Sequence, residues 1–192
     1  MVDARYEFRH FSDNLARFRD DFKKHSSDEI KRKSEEKYIV SPEINKYNFK
    51  FRFDKLDVKE LLEVKGKLEQ WYPVVKTGFP VDAQLLVEKI CPLMHIHPKV
   101  IDKSLYTLDE FMDEVVSGQE HLFFADVTKR RFGYSINDCM AEYAEVTING
   151  KDTQTVSIES TEPEKILETM KMFGMEGMEN ISYVKIVKDL TI

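Results

Sequence analysis

Charged side chains recur at alternate positions of several β-like stretches, and these are the residues best placed to do chemistry. In KYNFKFRF (46–53), Lys46, Asn48, Lys50 and Arg52 share one face of a strand, and Tyr47, Phe49, Phe51 and Phe53 share the other. By the same alternation Lys59 shares a face with Asp57, Lys129 with Arg131, and Glu159 with Thr155 and Ser157. Arg5, Glu7 and Arg9 line up opposite Tyr6, Phe8 and His10. Lysine and arginine match phosphate oxygens, arginine through paired N–H groups. Clustered carboxylates suit Mg²⁺, a hard ion that prefers oxygen and often bridges to phosphate. If such strands close into a barrel, the charged faces share one lumen. Buried charge then needs counter-charges, a metal, or an anionic ligand with water. The competing placement is an open sheet with these residues in solvent, and the repetition over five strands favours the lumen.

Other chemistry-bearing residues read as structural. His95 and His97 in MHIHP have no nearby cysteine or third histidine to complete a zinc set, and His10, His25 and His121 stand alone. Trp71 in EQWYP reads as a packing anchor, and the Met-rich MKMFGMEGM (170–178) as a helix end packed on the barrel. Glycine-rich phosphate loops and serine-hydrolase elbows are absent.

The elements that must position the charges follow from pattern. Residues 5–11 read as a strand, with Ser12 capping a helix over 13–24 whose Leu15, Phe18 and Phe22 form one stripe. The mixed-charge run SSDEIKRKSEEK (26–37) reads as a solvated loop or fraying helix end, followed by a short strand at 37–41. Asp54-Lys55 supplies a turn from 46–53 into 56–61. From about 62 to 126 the pattern is helical. Pro80 precedes one helix that stops near Pro92, and Thr107 with Glu110 caps another that ends at Gly118. Strands return at 122–136, 140–148 and 153–160, with Asn149-Gly150 as a hairpin turn. Thr161 and Glu164 form a second capping-box pair for a helix ending at Gly174, and ISYVKIVKDL closes the chain as a short helix. The fold class expected is α+β: one domain, 1–192, an antiparallel β-barrel of about eight strands with flanking helices and a helical insertion at about 62–126.

Composition sets other classes aside. The chain has 192 residues, 42% of them hydrophobic, which is enough for a core, and no apolar run approaches the length of a membrane span. MVDARYEFRH lacks a secretory apolar stretch, and Cys91 and Cys139 are lone thiols that suit a reducing compartment, so a cytoplasmic location is expected. A net charge of −6 argues against generic attraction to nucleic acid.

The ordered set of strand motifs resembles the CYTH superfamily, the triphosphate tunnel metalloenzymes, which include inorganic and thiamine triphosphatases and class IV adenylyl cyclases. RYEFR (5–9) stands where that family has its opening E-x-E-x-K strand. KFR (50–52) and LDVK (56–59) stand for its basic strands, and KRR (129–131) for its K-x-R strand. AEYAEV (141–146) matches the acid-bearing strand, SIES (157–160) the E-x-E strand, and MENISYVKIV (178–187) the closing segment. Arg5 replaces the first glutamate of the opening motif, Arg9 its lysine, and Ser157 one acid of the E-x-E strand. The resemblance implies that Lys50, Arg52, Lys59, Lys129 and Arg131 hold a triphosphate or polyphosphate. It further implies that Glu7, Glu145 and Glu159 bind Mg²⁺ or Mn²⁺, with Arg9 in the lysine's role. The reaction implied is metal-dependent triphosphate hydrolysis. The alternatives are adenylyl cyclisation and a non-catalytic polyphosphate or nucleotide binder on the same fold. A third reading, an RNA-binding barrel using Tyr47, Phe49, Phe51 and Phe53, is disfavoured because aromatic and basic residues lie on opposite faces. Neither a membrane nor a nucleic acid is expected as a partner, and a homodimer is compatible with the fold.

Overall fold

A computed structural model describes residues 3–98 and 101–192. Eight antiparallel strands close on themselves: β1 (Arg5–Ser12), β2 (Ile30–Val40), β3 (Tyr47–Phe51), β4 (Lys55–Lys65), β5 (Leu68–Gly78), β8 (Phe123–Ile136), β9 (Cys139–Ile148) and β10 (Lys151–Ser160). Around the barrel the order is β1-β10-β9-β8-β2-β3-β4-β5. Two short strands, β6 (Val81–Asp82) and β7 (Leu105–Tyr106), pair with each other outside it. No helix among the described residues is long and apolar enough to cross a membrane.

Both faces of the barrel wall are covered, but by different partners. Outside, helices Ala16–His25 and Pro163–Met172 lay Phe18, Phe22, Ile166 and Met170 against Phe8, Phe132, Tyr134 and Ile158. On another side, Phe49, Phe51, Leu56 and Val58 of β3 and β4 pack on helical residues Leu86, Ile90, Phe111 and Val115. The aromatic face of 46–51 therefore has its partner, and its basic face is left for the lumen. Phe53 leaves that face. With Asp54 it forms the β3–β4 turn, both residues at positive φ, closed by reciprocal backbone bonds between Arg52 and Lys55.

The region 62–126 differs from the expected helical insertion. Residues up to 65 extend β4, and Leu68–Gly78 is a full barrel strand, so the helical part is confined to 83–93 and 108–116. The run 26–37 is also corrected: Ile30–Val40 is strand β2, paired along its length with β8. Of the caps, Thr107 and Glu110 form the expected reciprocal box. Thr161 and Glu164 do not, because the helix starts at Pro163 and Glu164 instead meets Lys65 at 3.4 Å. Ser12 ends β1, and the following helix is entered from Leu15, whose N–H donates to Gln154 Oε1 at 2.8 Å. A Thr107→Ala change should lower stability by about 1 kcal/mol, read as a shifted urea midpoint with unchanged slope.

The seam of the barrel is short. β1 pairs with β5 only through Arg5, Glu7 and their neighbour Tyr6. Beyond Glu7 the free edge of β1 is taken by the chain's last segment: Arg9 N–H donates to Asn180 Oδ1 and Ile181 N–H to Arg9 O, each at 2.6 Å. Ser182 then caps helix Tyr183–Asp189. Its Tyr183 and Val187 enter the lumen among Phe11, Tyr38, Val40, Val127, Val146 and Ile148 and plug one end.

Candidate functional site in the barrel lumen

The convergence of charges is settled by Tyr183. Its ring lies under the guanidinium of Arg9 from β1, 4.7 Å away, and under the ammonium of Lys129 from β8, 3.7 Å away. Strands separated around the wall thus send cations to one point over one aromatic floor. The Tyr183 hydroxyl is buried without a hydrogen-bond partner.

Two charge clusters line the lumen. In the first, Glu36 of β2 receives Lys129 Nζ at 2.7 Å, the Tyr38 hydroxyl at 3.1 Å and the Ser34 hydroxyl at 3.1 Å. Arg52 lies 3.6 Å from its other oxygen. Burial opposes ionisation of Glu36, but Lys129 and Lys50 outweigh it and hold the carboxyl at about 2. For Lys129 burial dominates and, with Lys50 and Arg131 nearby, brings the amine down to about 7 in spite of Glu36. Lys50 is drawn down by burial as well and pairs with Asp57 at 3.4 Å.

The second cluster surrounds Arg9. Glu7 accepts from its Nε at 2.7 Å, and Glu142 and Glu159 lie 3.7 and 3.8 Å from its two terminal nitrogens. Arg131 binds Glu142 through Nε and Nη2, each at 2.7 Å. Glu7 and Glu159 face each other across the β1–β10 pairing. Burial, then the charge of Glu7, pushes Glu159 up to about 7. At Glu7 burial is overcome by Arg9, which holds that carboxyl at about 2. A cavity of about 120 Å³ opens at this cluster, lined by Asp3, Arg5, Glu7, Lys59, Trp71, Pro73 and Glu159. Lys59 faces it with no ion-pair partner among the described residues.

Of the residues singled out from sequence, Glu7, Arg9, Lys50, Arg52, Lys59, Lys129, Arg131 and Glu159 come together in this way. Glu145 does not. It sits on the outer wall, half exposed and 3.2 Å from Arg130, because alternation along β9 sends Glu142, Ala144 and Val146 inward and Glu145 outward. Glu36 and Glu142 are lumen carboxylates that the sequence reading passed over. Trp71 is more than a packing anchor: it edges the cavity, with Nε1 donating to Glu69 at 3.1 Å. His95 and His97 are exposed and apart from the lumen.

Whether a divalent ion fits turns on these carboxylates. No group of three or more His, Cys, Asp or Glu side chains among the described residues is arranged to hold a metal. Glu7 and Glu159 nevertheless form a mutually repelling buried pair beside an open cavity. Mg²⁺ is commonly held by one or two carboxylates and completes its shell with water and substrate phosphate, so the pair fits an ion that arrives with phosphate.

No protein-family model matches the sequence, and no curated protein sequence does. Solved structures do match. A conserved hypothetical protein from Pyrococcus furiosus superposes with a TM-score of 0.52 at 18% identity, over 93% of this chain and 98% of that one. HpAC1 from Hippeastrum, named for adenylyl cyclase and described with a dominant triphosphatase activity, gives 0.52 at 12% identity, over 98% and 97%. A Bacillus halodurans protein named for adenylate cyclase gives 0.50 at 10%, over 94% and 96%. At these identities the likeness is one of fold: the chain closes the eight-stranded antiparallel barrel that its alternating strands led us to expect.

Proposed function

We propose that this protein binds a triphosphate or short polyphosphate inside the barrel and hydrolyses it with a divalent metal. The observation that carries this reading is the convergence of Lys50 of β3, Arg52 just after it, Lys59 of β4, and Lys129 and Arg131 of β8 on one lumen that also holds the Glu7–Glu159 pair. Phosphoryl transfer needs positioning and charge neutralisation more than a protein nucleophile, and these side chains supply both. Lys59, with no ion-pair partner among the described residues, meets the anion first at the open cavity. Lys129 and Arg131 already hold Glu36 and Glu142, so phosphate oxygens share cations whose positions those carboxylates have set. Tyr183 blocks the far end and limits how deep a chain of phosphates can run. Glu7 and Glu159 would hold Mg²⁺ or Mn²⁺, which when bound offsets phosphate charge and orients water for attack. Hydrolysis is preferred to cyclisation because the lumen residues position phosphate and none forms an identifiable purine pocket.

A second reading, polyphosphate binding without turnover, is favoured by one observation: most lumen carboxylates are already engaged by the chain's own cations. Phosphate release from tripolyphosphate separates the two. Release with Mg²⁺ or Mn²⁺ that stops on chelation is the expected result. Tight calorimetric binding in chelator without release would leave the binder instead.

A further inference from the structure

Arg9 occupies the point on which three carboxylates converge. Each of its guanidinium nitrogens faces a different acid: Nε faces Glu7 at 2.7 Å, Nη1 faces Glu142 at 3.7 Å and Nη2 faces Glu159 at 3.8 Å. The side chain is almost wholly buried and fixed from other directions as well. Thr155 Oγ1 lies 3.4 Å from Nη1, the Tyr183 ring lies beneath, and the backbone N–H and C=O are both bound by the closing segment. A guanidinium does not lose its proton in proteins, so this charge is permanent.

We infer that Arg9 is the resident cation of the carboxylate cluster, and that it makes capture of a divalent metal depend on a phosphate ligand. This rests on the proposed placement of the metal at Glu7 and Glu159. An ion approaching that pair alone is repelled by the fixed positive charge of Arg9, whose nitrogens lie 2.7 and 3.8 Å from the two carboxylates. An ion that arrives on a polyphosphate brings negative charge that outweighs Arg9, and it fills its shell with phosphate oxygens. Removing the guanidinium should leave the Glu7–Glu159 pair as an ordinary carboxylate site for a hard cation.

The test is Mn²⁺ binding without phosphate, followed by electron paramagnetic resonance of free Mn²⁺, on the wild type and on Arg9→Met. The expected result is affinity about tenfold or more tighter in the variant, a modest gain for deletion of one nearby charge. Adding Glu159→Gln to Arg9→Met should cancel most of the gain. Equal affinity in wild type and variant, or a gain that survives Glu159→Gln, would overturn the inference. Because Arg9→Met leaves buried acids unpaired, its melting temperature should rise with added Mn²⁺ while that of the wild type stays flat. Should it stay unfolded at every Mn²⁺ concentration, Arg9→Lys decides. A single ammonium cannot face three acids at once, so about a threefold gain is expected, and no change counts against the proposal. Phosphate release from tripolyphosphate by the wild type tests the hydrolytic reading separately: no release, with the Mn²⁺ gain in the variant intact, sinks that reading and leaves this one.

Discussion

Glu36→Gln should lower the unfolding free energy by about 3 kcal/mol or more, the range found when one partner of a buried ion pair is removed. The glutamate side chain is 1% exposed and that of Lys129 5%, so the ammonium left behind has no water to replace its partner. The effect has a distinctive pH dependence. Glu36 is held at about 2 in the native state against an ordinary 4.5, so its contribution is present above 4.5 and is lost as pH falls toward 2. Lys129 has the opposite signature. Its native value of about 7 lies below the ordinary 10.5, so above about 7 the native state releases a proton that the unfolded chain retains. Stability from that group therefore rises with pH between 7 and 10.5 in the wild type; in the variant, without the charge of Glu36 to hold the proton, the amine sits lower still and the rise begins below pH 7. The gap between the two proteins should be widest near pH 4.5, narrow as pH rises toward about 7, and narrow again as pH falls toward 2. Urea denaturation at a series of pH values measures it. A gap that stays constant from pH 3 to pH 9 would show that Glu36 and Lys129 are not the buried pair described.

Substitution of the two acids on β9 should give opposite results in hydrolysis. Glu142→Gln removes the charge that holds Arg131 at two nitrogens, each 2.7 Å away. With Arg131 free to swing, kcat/KM for tripolyphosphate should fall by about a hundredfold, the loss typical of a misplaced charge-stabilising donor. Arg131→Lys should lower kcat/KM comparably, because an ammonium cannot reproduce the fork. Glu145→Gln, whose partner Arg130 is half exposed on the outer wall, should leave kcat/KM within about twofold. If the pattern is reversed, β9 faces the other way in solution and the lumen as described is wrong. If the protein binds without turnover, the same contrast should appear in tripolyphosphate affinity.

The parts of the fold that could be read in advance are those where the two faces of an element meet different surroundings. Tyr47, Phe49 and Phe51 alternate with Asn48, Lys50 and Arg52 because one face packs on the helical residues and the other lines a charged cavity. Asn149-Gly150 announced a hairpin because both positions need positive φ, and they adopt 48° and 80°. β2 was obscure for the converse reason. In IKRKSEEKYIV, Lys31, Lys33, Glu35 and Lys37 face outward while Ser34 and Glu36 face a polar lumen, so no contrast marks the strand. β5 hid behind Pro73, which disrupts the strand signal, beside register shifts in β4 that accommodate it. On β9 both faces are apolar over much of the length, outside under helices and inside against the closing plug. Periodicity therefore could not say which of Glu142 and Glu145 pointed in.

Residue types and local alternation were enough to establish that this chain carries strands with cationic and anionic faces, in an order that resembles a triphosphate tunnel. They could not assign partners. That Arg9 meets three acids, that Lys129 answers Glu36, and that Tyr183 forms the floor beneath both cations depends on closure of the barrel and on a final segment entering through its seam. Apart from Arg9 with Glu7, each of those contacts joins residues more than 50 positions apart. Local propensity carries no information at such separations, and the energy of a buried charge depends on which group ends up beside it.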